Sequence, residues 1–255
     1  MSHTFRISQS AVSRFYDPST CEVYWVHCYV YGRDTRSTHS MKKGLLFEYE
    51  LIGGCRGGTR PELPKSQQKG KRFGTPLKEE TDLVELAAKS KVLMNEIGVE
   101  LTEVQPHWVW EDMEAHLDAI GVFEGERCII DVKYTECAES DHRIGWADMD
   151  NKPTIQPVHY VYLSKFITGE YLPFYYFIFG KEGWVKIVKE TIFDTAIEEH
   201  VWDLEIFREN LKTFTPQPAN NYNKCQSCEF NDVCKSKTTL PVVEQHNITQ
   251  VIKGY

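Results

Sequence analysis

Between His116 and Thr135 the chain reads HLDAIGVFEGERCIIDVKYT, two apolar runs about a Glu124–Gly125 pair. Runs of this kind around a turn-forming pair specify two strands held close together, which fixes the residues that can meet. Side chains alternate along a strand, so Ile129, Asp131 and Lys133 share one face while Cys128, Ile130, Val132 and Tyr134 take the other. Charged side chains seldom enter a sheet without a partner or a task. If the pairing brings Asp118 to the same edge, two carboxylates and one ammonium converge on a single point. That set suits a hard divalent cation, which takes one or two carboxylates and keeps its other positions for water and phosphate oxygens. The lysine is then left to orient or help deprotonate water, or to neutralise charge on phosphorus. An isolated Asp-x-Lys is more often an exposed ion pair, so the reading depends on what surrounds it in the chain.

The remaining elements follow from local pattern. Ser8–Phe15 reads as a short helix with a serine cap, and TCEVYWVHCYVYG is an aromatic-rich block. KKGLLFEYELIGG is an apolar element bearing Glu48 and Glu50. From Asp82 to Ile97 apolar residues recur at helical spacing, with Asp82 and Glu85 as a start signal and Gly98 as a stop. Strands are expected at Leu101–Val104, Trp108–Trp110, the Asp118 run and Cys128–Tyr134. A helix opened by Gln156 and Pro157 runs to about Ile167, followed by the buried strand FYYFIFG, a strand at Trp184–Val188 and a helix from Asp194 to Leu211. No internal repeat is found.

With 255 residues the chain can bury a sizeable core, and its net charge of −8 confines any nucleic-acid surface to a local basic patch. Arg56–Gly74, rich in Lys, Arg, Gly and Pro, is expected to be a mobile basic loop able to follow a phosphate backbone or to act only as a solvated linker. There is no long apolar run, and Met1–Ala11 is polar, so a cytoplasmic protein with no membrane contact is expected.

Eight cysteines in a chain where no export signal is expected point to thiols or a metal site, not to a disulfide framework. Cys225, Cys228 and Cys234 are compressed into CQSCEFNDVC, which is ligand spacing. Zinc and iron–sulfur centres both accept four thiolates, so spacing leaves the two open. Cys55, Cys128 and Cys137 read as small buried or half-buried apolar residues.

Taken in order, CEVYW, GLLFE, HLDAIG, IIDVKYT, QPVHYVYL and the cysteine tail resemble the PD-(D/E)xK nuclease superfamily. Within it the pattern is similar to the RecB-like exonucleases with an iron–sulfur cluster, the group of the CRISPR-associated exonucleases and the AddB nuclease domain. The resemblance implies a restriction-endonuclease-like α/β fold: a mixed central sheet flanked by helices, one domain over 1–255, with a cysteine-ligated cluster joining the N- and C-terminal segments. It implies that Glu48, Asp118 and Asp131, with the carbonyl of Val132, hold Mg²⁺ or Mn²⁺, that Lys133 assists the water, and that Gln156 and Tyr160 position DNA. Cys21, Cys225, Cys228 and Cys234 would hold a 4Fe–4S cluster, with Zn²⁺ as the alternative and Cys28 as the rival upstream ligand. The implied substrate is DNA, as single strands or duplex ends, in recombination, repair, phage or CRISPR-related processing, with recombination or CRISPR-adaptation proteins as partners.

Two departures stand out. Glu48 occupies the place where the family shows a metal-binding histidine; a carboxylate suits Mg²⁺ better than imidazole does, and His39 is the other candidate. Glu22 follows Cys21 where the family usually has proline. A Cys₄ DNA-binding module with a vestigial nuclease site is the competing reading, and a phosphate-ester hydrolase of small molecules is a third.

Overall fold

The computed structural model describes residues 4–33, 35, 37–67, 74–138, 155–217, 222–232 and 234. In chain order their elements are α1 (Gln9–Tyr16), α2 (Glu22–Trp25) continued by a π-helical turn over Val26–Val30, α3 (His39–Ile52), α4 (Lys78–Glu96), β1 (Glu100–Val104), β2 (His107–Trp110), β3 (Met113–His116), β4 (Ala119–Phe123), β5 (Glu126–Thr135), α5 (Ile155–Thr168), β6 (Phe174–Gly180), β7 (Val185–Glu190), α6 (Asp194–Thr213) and α7 (Tyr222–Ser227).

The described residues of 37–108 and 115–192 form one compact unit. Its sheet has the order β1-β4-β5-β6-β7. The β5–β6 pair is parallel and the other pairs are antiparallel, which makes the sheet mixed. The hairpin expected at Glu124–Gly125 forms: both turn residues have positive φ, 53° and 80°, the condition a two-residue turn needs to match the twist of its strands. A parallel neighbour demands a crossover, and α5 lies in that connection between β5 and β6. Every residue of β6 is buried, as for a central strand covered on both faces.

One sheet face packs Ile130, Val132, Phe177 and Phe179 against Phe47 and Leu51 of α3 and Leu83, Ala87 and Met94 of α4. Each large apolar side chain so buried is worth roughly 1.5–3 kcal/mol over its exposed state. Thr38 caps α3 by accepting a hydrogen bond from the Met41 amide, and Gly53 ends the helix in the left-handed conformation. Helix α4 starts at Lys78, one turn before the expected Asp82, because Glu79 and Glu80 already supply negative charge to its first turn; Asp82 and Glu85 lie inside it. Strand β3 was not anticipated, since Met113–His116 is four residues long and carries two polar side chains.

Part of the basic segment is pinned. Leu63 is buried in the core, and Arg60 pairs with Glu50 and Glu80, while residues 68–73 lie outside the described residues.

The described residues of 1–36, 109–114 and 193–255 form a second compact unit, built from both ends of the chain. Its centre is aromatic: Phe15 meets Trp25, Phe207 and Phe214 at ring-centroid distances of 5.2, 5.0 and 4.9 Å. Ser8 caps α1 as expected, and Arg208 grips Asp112 with two hydrogen bonds of 2.8 and 2.7 Å. No helix among the described residues is long and apolar enough to cross a membrane.

Candidate active site

The strand register decides the site. Ala119 pairs with Ile130, so Asp118, one residue before β4, falls beside Asp131 of β5. Asp118 Oδ2 accepts the Val132 backbone N–H at 2.8 Å. Asp131 is 2 % exposed; its Oδ1 accepts from Gln156 Nε2 at 2.7 Å and its Oδ2 is in contact with the Lys133 ammonium. From α3 comes Glu48, also buried, whose Oε1 accepts from Gln105 Nε2 at 2.6 Å. Three carboxylates from three segments thus act on one lysine, Asp131 by contact and Asp118 and Glu48 through their fields.

The electrostatics follow from that crowding. Burial, with the charges of Asp118 and Asp131 behind it, pushes the Glu48 carboxyl up to about 9 against the offset from Lys133. Burial likewise pushes Asp131 up to about 7, although Lys133 acts against it. Asp118 is raised too, chiefly by burial, while Lys133 and the Val132 N–H pull it down. Burial alone would drive Lys133 toward neutrality, but Asp131 and Asp118 outweigh it and hold the side chain as ammonium. One ammonium cannot neutralise three carboxylates, so the site favours additional positive charge. The oxygen-only donor set of Glu48, Asp118 and Asp131 is the kind that Mg²⁺ or Mn²⁺ accepts.

The other expected residues take specific places. Gln156 and Tyr160 lie one turn apart on α5, and both are buried. Gln156 serves Asp131, whereas the Tyr160 hydroxyl donates to the His116 carbonyl at 2.8 Å, two residues before Asp118. Val132 gives its N–H to Asp118. His39, the other candidate for the α3 ligand, is exposed and bonds Glu79 at 2.9 Å. Gln105 was missed by sequence reasoning, because a single glutamine after a strand carries no signal of its own.

In the unit built from both chain ends, Cys21 precedes α2 as its cap, Cys225 lies in α7, and Cys228 and Cys234 follow. The Tyr24 hydroxyl donates to Glu229 at 3.0 Å, and Phe230 packs on Tyr24 and His27, which docks the cysteine tail on α2 and the turn after it. Burial raises the Cys228 thiol against a lowering hydrogen bond from the Phe230 backbone, and the proximity of Cys21, Cys234 and Cys225 raises it further. Cys28 is pushed up to about 11, mainly by burial, and Cys228 contributes there as well. Cys55 and Cys128 are buried and Cys137 is half-buried.

Comparison with known proteins bears on the fold. The chain resembles the crystal structure, at 2.19 Å resolution, of a candidate exonuclease from Eubacterium rectale, with a TM-score of 0.59 and 16% identity over 92% of this chain and 89% of that one. The chain shares the mixed α/β fold of that structure. A second solved structure, SSO0001, aligns at 14% identity over 63% of this chain and 71% of that one with a TM-score of 0.30, too low to carry any argument. No family model matches the chain, and no curated protein does.

Proposed function

We propose that the protein is a metal-dependent deoxyribonuclease of the PD-(D/E)xK type, acting as an exonuclease on DNA single strands or duplex ends. The observation that carries the reading is the convergence of Glu48, Asp118 and Asp131 on Lys133 within a nuclease-like fold. A divalent cation held by these carboxylates would supply Lewis acidity toward the phosphodiester and lower the pKa of water. The chain's own residues do the rest. Gln156 fixes one oxygen of Asp131 and Lys133 meets the other, so the carboxylate cannot rotate away. In the metal-free protein Asp131 and Asp118 hold Lys133 as an ammonium; beside a bound cation it would orient or help deprotonate water, or stabilise charge growing on phosphorus. Tyr160 secures the backbone that leads into Asp118.

The reading includes a 4Fe–4S cluster on Cys21, Cys225, Cys228 and Cys234, supported by the proximity of the other three cysteines to Cys228 and by the docking of the tail on Tyr24. Hydrolysis needs no electron transfer, so the cluster serves as a staple for segments far apart in sequence. Recombination, repair, phage or CRISPR-related DNA processing is the setting that such an activity fits, and the name of the Eubacterium rectale neighbour agrees with nuclease chemistry.

The test is incubation of anaerobically purified protein with end-labelled DNA in Mg²⁺, in Mn²⁺ and in chelator. Release of short products with either ion and none in chelator is expected. DNA binding without cleavage in any of the three would instead favour the vestigial module.

A further inference from the structure

Gln105 stands at the junction of three segments that the proposed site needs in register. Its backbone N–H donates to the Asp118 carbonyl at 2.8 Å, and the next residue, Pro106, accepts the Leu117 N–H at 3.1 Å. The β1–β4 pairing is thereby carried past the end of β1 to the residue that presents a carboxylate. Its side-chain amide, meanwhile, reaches α3 and binds Glu48 Oε1 at 2.6 Å.

That geometry is held against local preference. Gln105 has φ +54°, in the left-handed region that non-glycine residues avoid by about 1–2 kcal/mol. The following proline also steers the residue before it toward extended backbone, so the conformation is disfavoured twice. Just past α3, Gly54 makes room for it: a Cβ there would stand 3.1 Å from Gln105 Cγ and 3.0 Å from Val104 Cγ1. Strain of this kind persists where the surroundings over-determine it, and such positions cluster at working sites.

We propose that Gln105 is a positioning residue that locks Glu48 for cation binding. An amide is suited to this task. It donates to a single carboxylate oxygen, and it adds no charge that would compete with a cation, as lysine or arginine at this place would. The inference rests on the metal-site reading above and adds to it a residue that the family resemblance does not supply.

Gln105→Gly is the discriminating variant. Glycine accepts φ +54° without strain, so the backbone is relieved while the donor is lost. Mn²⁺ titration by calorimetry is expected to show a Kd about 10-fold weaker or more than wild type. Cleavage lost at low Mn²⁺ should return as Mn²⁺ is raised, with the thermal midpoint equal or higher and DNA affinity in chelator unchanged. Gln105→Met, which keeps length and volume without the donor, is expected to weaken Mn²⁺ to a similar degree. An unchanged Mn²⁺ Kd in either folded variant would overturn the positioning role while leaving the nuclease reading in place. No Mn²⁺ binding by the wild-type protein would overturn both.

Discussion

Raising the pH should destabilise the metal-free protein and increase the stability that a divalent cation returns. The perturbation acts on Glu48, whose carboxyl is pushed from an ordinary 4.5 to about 9 by burial first and then by its neighbour Asp118. A carboxyl with a folded pKa above its unfolded one makes its full contribution below the unfolded value and loses it as pH rises through the folded value. The window for Glu48 therefore opens near 4.5 and closes near 9. Within it each pH unit costs about 1.4 kcal/mol, so moving from about pH 5 to about pH 8 withdraws on the order of 4 kcal/mol. Asp131, raised to about 7, acts in the lower part of the same window, but it shares the fields of Asp118 and Lys133, so the two losses do not add in full. A cation at about 100 times its Kd returns about 2.7 kcal/mol. For a chain of this size that corresponds to roughly 5–10 °C in the thermal midpoint. Circular-dichroism melts in chelator and in saturating Mg²⁺, at about pH 5.5 and about pH 8.5, measure both effects. The midpoint in chelator should fall across that interval and the Mg²⁺ increment should grow. A Mg²⁺ increment that is the same at both pH values would refute the account of these carboxylates as a charge-starved cluster.

Glu48→Ala should lower Mg²⁺-dependent cleavage by about 10²-fold or more, since a ligand is removed, whereas His39→Ala should cleave DNA as wild type does because His39 is engaged with Glu79; the reverse pattern in a cleavage assay would move the ligand to His39. Cys228→Ser should yield insoluble or protease-sensitive protein, and any fraction that stays folded should still cleave. Iron and sulfide analysis of anaerobically prepared protein should find both; stoichiometric zinc without iron would replace the cluster with a zinc staple. If Cys21→Ser keeps its metal and Cys28→Ser loses it, the upstream ligand is Cys28. Phe177→Ala, which empties a fully buried central position of β6, should cost about 3–5 kcal/mol in chemical denaturation.

The alternation of Asp131 and Lys133 against Ile130 and Val132 was legible because a strand has a period of two, and the Glu124–Gly125 turn then fixed the register that brings Asp118 alongside. Glu48 was named from motif order, and its helix was visible only as an apolar element. What places it is tertiary: Phe47, its neighbour, is anchored in the core beside Tyr134. Gln105 escaped because its role lies in a left-handed backbone before proline, the conformation local rules argue against. The charge of Lys133 in the metal-free protein also needed the structure, because it follows from the balance between burial and two carboxylates, and no spacing reveals that balance. Strand β3 and the first turn of α4 were missed where short polar segments offer too few residues for a period to show.

The most direct measurement is end-labelled DNA cleavage by wild type and by Asp131→Ala under identical Mn²⁺, with circular dichroism on both proteins. Asp131 is buried and touches both Gln156 and Lys133, so its loss removes a carboxylate from the middle of the proposed cation site. The account predicts Mn²⁺-dependent cleavage by wild type and none by a folded Asp131→Ala, at any Mn²⁺ concentration that supports the wild type. Undiminished cleavage by the folded variant would contradict it.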